Sequence, residues 1–169
     1  GGILAKGKAA KEDIIGSAKT EATRKEMAGR YGIRTEADNR EVAKVSDLLV
    51  LAVKPQFFEE VISQIRKDVR DETIVVSIAA GRTIEGIEGM FGRKLKLVRC
   101  MPNTPALVGE GCSGVCRSGL VTEEEMARCM ELVESFGLAR EVPERLINAV
   151  SGVSGCSPAY VFLFIDRRD

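Results

Sequence analysis

The stretch DLLVLAVKPQ, Asp47 to Gln56, decides the fold. Its six apolar residues, Leu48 to Val53, follow one another with no polar alternation. That is the pattern of a strand covered on both faces, and it predicts a central strand of a doubly wound sheet. Lys54 and Pro55 then close the run. A loop in that position lies at the carboxyl end of a strand, where open α/β sheets bind their ligands.

Apolar runs of strand length recur at Asp13 to Gly16, Thr73 to Ile78 and Lys94 to Met101, with amphipathic helical stretches between them. This alternation predicts an α/β fold, a parallel sheet with covering helices. TIVVSIAAGRT, Thr73 to Thr83, ends its strand in small residues. RCMPNTPALVGEG, Arg99 to Gly111, ends its strand in two prolines flanking Asn103 and Thr104. Pro102 and Pro105 each remove a backbone donor and fix φ, which pushes Met101 and Thr104 toward extended conformations. Asn103 and Thr104 are thereby held outward, toward a ligand or a neighbouring loop; a rigid turn with no ligand is the purely structural alternative.

Helix starts are signalled by Asp38 with Glu41 and by Thr122 with Glu125, each at capping-box spacing, while Gly32 and Gly137 read as helix stops. Met126, Cys129, Met130, Val133 and Phe136 recur at three- or four-residue spacing and read as core, not as a metal box. Past Arg145, the small residues of INAVSGVSGCSP lead into AYVFLFI, a helix expected to begin after Pro158.

Of the 169 residues, 44% are hydrophobic and 30% charged, which allows one medium domain with a core and disfavours a disordered chain. The 25 basic and 25 acidic side chains form no long run of either sign, so nucleic acid and anionic membranes are not expected partners. No apolar run approaches the ~20 residues of a bilayer span, and GGILAKGKAAKED lacks the apolar core and cleavage site of a secretory signal. A cytoplasmic location is the expectation. The cysteines, Cys100, Cys112, Cys116, Cys129 and Cys156, are odd in number and lack zinc-site spacing, so they read as buried free thiols. The absence of histidine removes Ser-His-Asp hydrolysis, Cys-His proteolysis and His-ligated metals.

Taken in order, DLLVLAVKPQ, TIVVSIAAGRT, MPNTPAL and SGVSGCSPAYVFLFI (Ser151 to Ile165) resemble pyrroline-5-carboxylate reductase, over nearly the whole chain. The resemblance implies an oxidoreductase that reduces 1-pyrroline-5-carboxylate to L-proline, the last step of proline synthesis, with NADPH or NADH. It implies a Rossmann-like domain over residues 1–146 and the start of an all-α dimerisation domain over 147–169, in a protein that forms homo-oligomers. It further implies that an opening strand and its glycine-rich turn precede Gly1. No G-x-G-x-x-G follows a strand in this sequence, so the phosphate cradle is expected outside the chain. At the other end, the family continues with small and apolar residues where this chain has Arg167, Arg168 and Asp169, which suggests truncation there too.

Hydride transfer to an iminium carbon requires a nicotinamide held face-on and a substrate oriented so that its imine carbon meets the hydride. A substrate that arrives protonated needs no side-chain acid, so no catalytic residue and no metal are assigned. The resemblance makes Ala52, Val53, Lys54 and Pro55 cofactor contacts, although an isolated Lys54 would read as a solvated cation. Ile78, Ala79, Ala80 and Gly81 are small enough at their strand end to admit a flat ring, and also suit tight strand-helix packing. Asn39 reads either as a cofactor contact or as an exposed neighbour of the Asp38 cap.

Ser17, Ala18 and Lys19 occupy the place where NAD-selective folds carry an acidic residue for the ribose 2′-hydroxyl; with a hydroxyl and an ammonium instead, they favour NADPH. Met101, Asn103, Thr104 and Pro105 are expected to position the substrate. Ser154 to Pro158 match a junction segment that is Gly-Ser-Gly-Pro or Gly-Ser-Ser-Pro in the family, with Cys156 in place of a frequent serine and its weaker hydrogen bonding. Two other readings stand beside this one: a non-catalytic chain that self-associates through an exposed AYVFLFI helix, and a related Rossmann oxidoreductase with another small substrate.

Overall fold

The protein was described from a computed structural model, which covers residues 1–166; Arg167, Arg168 and Asp169, the charged end noted above, lie outside the described residues. In chain order the elements are α1 (Gly2–Ala5), β1 (Ile15–Ser17), α2 (Glu21–Tyr31), β2 (Arg34–Glu36), α3 (Asn39–Val45), β3 (Leu48–Leu51), α4 (Phe58–Ile65), β4 (Ile74–Ser77), α5 (Ile84–Phe91), β5 (Leu97–Met101), β6 (Gly111–Arg117), α6 (Glu123–Val133), β7 (Gly137–Glu141), α7 (Glu144–Val150) and α8 (Ser157–Asp166). Strands β3, β4, β5, β6 and β7 form one sheet in that order, and β1 pairs with β2 in a separate parallel pair. The fold is a Rossmann-like α/β sheet wrapped by helices.

Each face of the larger sheet carries its own core. On one side Leu49, Leu51, Val75 and Leu97 pack against Val42, Phe58, Ile62, Ile65 and Ile87 of the flanking helices. On the other, Val76, Val98, Cys100 and Val115 pack against Met126, Cys129 and Val133 of α6, with Met130 and Phe136 partly buried at the margin. The sulfur-rich stripe is therefore core, and no cluster suited to a metal occurs among the described residues. Thr122 and Glu125 form the reciprocal capping box, Glu125 N–H to Thr122 Oγ1 at 3.2 Å and Thr122 N–H to Glu125 Oε2 at 2.9 Å. Gly32 ends α2 in the left-handed conformation.

Several expectations are corrected. The sheet is not wholly parallel: β6 runs antiparallel to β5, with Arg99 opposite Cys116. Strand β3 is an edge of the five-stranded sheet, and its burial alternates, Leu49 and Leu51 inside and Val50 46% exposed. Val50 shares its face with Val76, which packs against α6, yet at the sheet edge it stays half exposed, so an unbroken apolar run did not here mean two fully covered faces. The strands β2, β6 and β7 gave no apolar run, because RTE, GCSGVCR and GLARE are short, polar or glycine-rich and owe their pairing to neighbours. Asp38 caps the Arg40 amide at 2.9 Å but forms no box with Glu41, which binds Lys44 instead. The Arg40 guanidinium grips both Asp38 oxygens and holds that carboxyl down at about 2. Gly137 does stop the preceding helical stretch, as expected: it caps the 3₁₀ turn, Glu134–Phe136, that prolongs α6, and it also opens β7.

The last helix does not begin after Pro158. From Glu144 the chain is helical through a π-type segment, Ser151–Gly155, into α8. Pro158 sits at its second position, where a missing N–H is tolerated. The run Glu144–Ile165 has 22 residues and is long and apolar enough to cross a bilayer on length and composition alone. This corrects the expectation that no apolar stretch approaches bilayer length: Gly152, Ser154 and Gly155 interrupt the run in sequence but not the helical path. Position 147, the expected start of the helical unit, falls within α7, whose Ile147 is buried against the sheet.

Three of the five cysteines, Cys100, Cys116 and Cys129, are buried, and desolvation pushes each thiol from 9.0 up to about 11. Cys112 and Cys156 are exposed, which corrects the expectation of buried thiols: Cys112 pairs across β6 and β7 with Leu138, itself 66% exposed, and Cys156 precedes the exposed α8. A thiol reagent at pH 8 is expected to modify those two quickly in the native chain and all five in denaturant; rapid reaction of a third native thiol would contradict the packing. The raised thiols favour the folded state below about pH 9, and that contribution is lost as pH climbs toward 11, because the unfolded chain ionises first.

Candidate functional site

Because β3, β4 and β5 run parallel in register, with Leu51 beside Ser77 and Ser77 beside Arg99, their carboxyl ends emerge together. The segments Ala52–Pro55, Ile78–Gly81 and Met101–Pro105 therefore line one rim of the sheet, as the strand reading anticipated. Hydrogen bonds set their spacing. Arg82 Nη2 donates to Pro55 O at 2.7 Å, joining the first loop to the second. Asn103 Oδ1 accepts the Cys112 N–H at 2.8 Å, which pins the third loop to the start of β6. The outward-held Asn103 thus faces a neighbouring strand, and Thr104 beside it is exposed.

Within this rim Lys54 is extended (φ −63°, ψ 147°) and exposed, with Pro55 starting a 3₁₀ turn behind it. It enters none of the ion pairs formed among the described residues. Gly81 has φ +71°, a conformation that favours glycine, and a Cβ placed on it would meet nothing within 4 Å, so the space before the Ile78–Gly81 segment is open. Ala79 is buried and Ile78 is 38% exposed, so one side of the segment seals the core and the other faces solvent.

Ser17 ends β1, and its Oγ donates to Asn39 Oδ1 at 2.8 Å; Asn39 Nδ2 in turn donates to Gln64 Oε1 at 2.9 Å. Asn39 thus ties the β1 loop to α4, which the cap reading alone did not suggest. Arg24 holds the same loop from α2 by donating to Ala18 O at 2.7 Å and Lys19 O at 3.2 Å, while the Lys19 side chain stays exposed. A cleft of about 430 Å³ lined by Ala37, Asp38, Asn39, Arg40 and Gln64 opens beside this point. A second, of about 410 Å³, lies between Cys116, Arg117 and the Glu141–Glu144 segment. Neither is lined by residues of the three-loop rim.

Sequence reasoning missed Arg24, Gln64, Arg82, Arg99 and Glu144. Only Arg99 carried a signal: a charged residue inside the apolar run LVRCM has to find a partner. Its partner is Glu144, at the margin of the core and 35% exposed, whose Oε1 lies 2.7 Å from Arg99 Nη1.

Comparison with known proteins agrees with this architecture. Residues 1–81 match the family described as NADP oxidoreductase coenzyme F420-dependent. The chain is 42% identical to the pyrroline-5-carboxylate reductase of Escherichia coli strain K12 over 137 residues, 81% of this chain and 51% of that protein. Among solved structures, a pyrroline-5-carboxylate reductase from Coxiella burnetii superposes with a TM-score of 0.92 at 29% identity, covering 98% of this chain and 62% of that one. The Plasmodium falciparum pyrroline carboxylate reductase with NADP bound gives 0.87 at 30% identity, covering 98% and 60%. The chain therefore resembles pyrroline-5-carboxylate reductases over most of its length, and it spans about half to three fifths of theirs.

Proposed function

We propose that this chain carries the cofactor-side loops of an NADPH-dependent pyrroline-5-carboxylate reductase, forming L-proline from 1-pyrroline-5-carboxylate. The observation that carries the reading is the alignment of three loops, Ala52–Pro55, Ile78–Gly81 and Met101–Pro105, on one carboxyl rim of a parallel sheet. The residues present fit two parts of the cofactor. Open space before Gly81 admits a flat ring, and Lys54 and Lys19, which form no ion pair among the described residues, suit anionic groups; Lys19 takes the 2′-phosphate that distinguishes NADPH, and Ser17 joins it only if its hydroxyl turns away from Asn39. No glycine-rich strand-to-helix turn is present in the sequence for the pyrophosphate, so nucleotide binding by this chain is weak.

When bound, the nicotinamide supplies the hydride. Ile78 to Gly81 limit how deeply its ring settles, because Ala79 is already buried behind them. Asn39, held by Ser17 and Gln64, fixes the 2′-phosphate end of the site. Met101, Asn103, Thr104 and Pro105 form the substrate wall, with the Asn103 bond to Cys112 keeping the loop from swinging. In this reading residues 1–146 belong to the cofactor unit, residues 147–169 begin a helical unit, and the location is cytoplasmic.

The test is titration of the chain with NADPH and NADH, together with NADPH oxidation on adding pyrroline-5-carboxylate. Saturable but weak NADPH binding, weakened a further three- to tenfold by Lys54→Ala, is expected, since one charge-assisted contact contributes about that much. Indifference to Lys54→Ala, or an equal preference for NADH, would count against it. One observation favours a second reading, self-association without catalysis: Tyr160, Val161, Phe162, Leu163, Phe164 and Ile165 of α8 are all exposed. Sedimentation of an inactive chain as a dimer would support that alternative.

A further inference from the structure

Arg99 is the most deeply buried charged side chain among the described residues, 3% exposed, two positions before Met101 on β5. It lies in a row across three strands between Ser77 of β4 and Cys116 of β6. Its Nη1 donates to Glu144 Oε1 at 2.7 Å, and its buried Nε has no partner. The same carboxylate oxygen accepts the backbone N–H of Ile84, also at 2.7 Å. That amide opens α5 and has no acceptor within its own helix.

One oxygen therefore joins three segments. Strand β5 runs on into the Met101–Pro105 loop, α5 follows the Ile78–Gly81 loop, and α7 begins the helical run that ends in α8. Only Arg99 is buried, the Glu144 side chain being 35% exposed, and the cost of desolvating the guanidinium offsets much of the attraction, so apolar residues of similar size commonly hold such a position as well or better. The orphaned Nε adds to that cost. Apolar packing, however, has no direction, whereas two short hydrogen bonds to one atom fix where each segment points.

We propose that Glu144 and Arg99 are positioning residues, which hold the helical run Glu144–Asp166 in a fixed orientation to the Ile78–Gly81 and Met101–Pro105 loops. The functional part of this rests on the reductase reading of those loops. The device couples the helical run to both loops through residues that the reductase reading assigns to neither cofactor nor substrate.

The discriminating variant is the apolar pair Arg99→Met with Glu144→Leu, because Glu144→Ala alone leaves a buried guanidinium without a counter-charge and is expected to melt well below wild type. The apolar pair should melt at or near the wild-type temperature. Its Ile84 amide should nevertheless exchange at least about tenfold faster, a charge-assisted bond having been lost. Spin labels on the two exposed thiols, Cys112 beside the Asn103 loop and Cys156 in the helical run, should give a broader distance distribution than in wild type.

If the wild-type chain reduces pyrroline-5-carboxylate, the pair should lose kcat at least about tenfold with the KM for NADPH changed less than about twofold; unfolded chain would lower apparent kcat in the same way, so rates are taken per folded molecule, well below the melting temperature of both proteins. Wild-type exchange at Ile84 with an unchanged label distribution would overturn the proposal. Inactivity of the wild-type chain would instead overturn the reductase reading, leaving exchange and distances to decide the tie by the same criteria.

Discussion

Gly137→Ala is expected to abolish or severely weaken folding, by about 3 kcal/mol or more. Gly137 opens β7 at φ +142°, ψ −158°, a region essentially closed to residues with a Cβ. It pairs with Gly111 so closely that an added Cβ would stand 2.0 Å from Gly111 O and 2.4 Å from Gly111 N. These are backbone atoms, so no side-chain rotation relieves the clash, and β7 would have to leave β6. Urea unfolding followed by circular dichroism measures the loss. Gly29→Ala is the matched control: Gly29 lies inside α2 with nothing within 4 Å of its would-be Cβ, and alanine there should stabilise by about 0.5–1 kcal/mol. Equal midpoints for Gly137→Ala and wild type would show that β6 and β7 do not meet as described.

Phe58→Ala should cost about 3–5 kcal/mol, whereas Phe57→Ala should cost about 1 kcal/mol or less. The two are neighbours in sequence and opposites in the fold. Phe58 is fully buried among Ile62, Ile65, Val75 and Leu97, and its neighbour Phe57 is 47% exposed. Phe58 is also the first residue of α4, directly after the turn that begins at Lys54, so its ring anchors the near side of the candidate site. Truncation should therefore loosen the Lys54 loop as well as the core. Faster amide exchange at Phe57, whose N–H bonds Lys54 O at 2.9 Å, would report that loosening. Phe58→Leu, which refills much of the cavity, should recover a large part of the loss. Comparable melting of the two alanine variants would contradict the assignment of which ring is inside.

Much of the site's location was legible before any coordinates. Apolar runs ending in Val53-Lys54-Pro55, Ile78-Ala79-Ala80-Gly81 and Met101-Pro102-Asn103 marked three strand ends, and parallel neighbours necessarily bring such ends to one rim. The partners of those loops were not legible. Arg82 reaches Pro55, Gln64 reaches Asn39, and Glu144 reaches both Arg99 and Ile84, across separations of 25 to 60 residues. No local pattern encodes such meetings.

The sequence by itself determined the α/β class, four of the strands, the α6 core stripe and the Thr122–Glu125 cap, because periodicity and capping act over a few residues and do not wait for the rest of the chain. Tertiary structure alone decided that β6 turns antiparallel, that β3 lies at an edge with Val50 exposed, which of two adjacent phenylalanines is buried, and that one carboxylate oxygen serves two distant donors. Each of these depends on which segments come to lie against one another. Burial and hydrogen-bond satisfaction are balanced over the whole packed molecule, so a residue's own neighbours in sequence do not fix them.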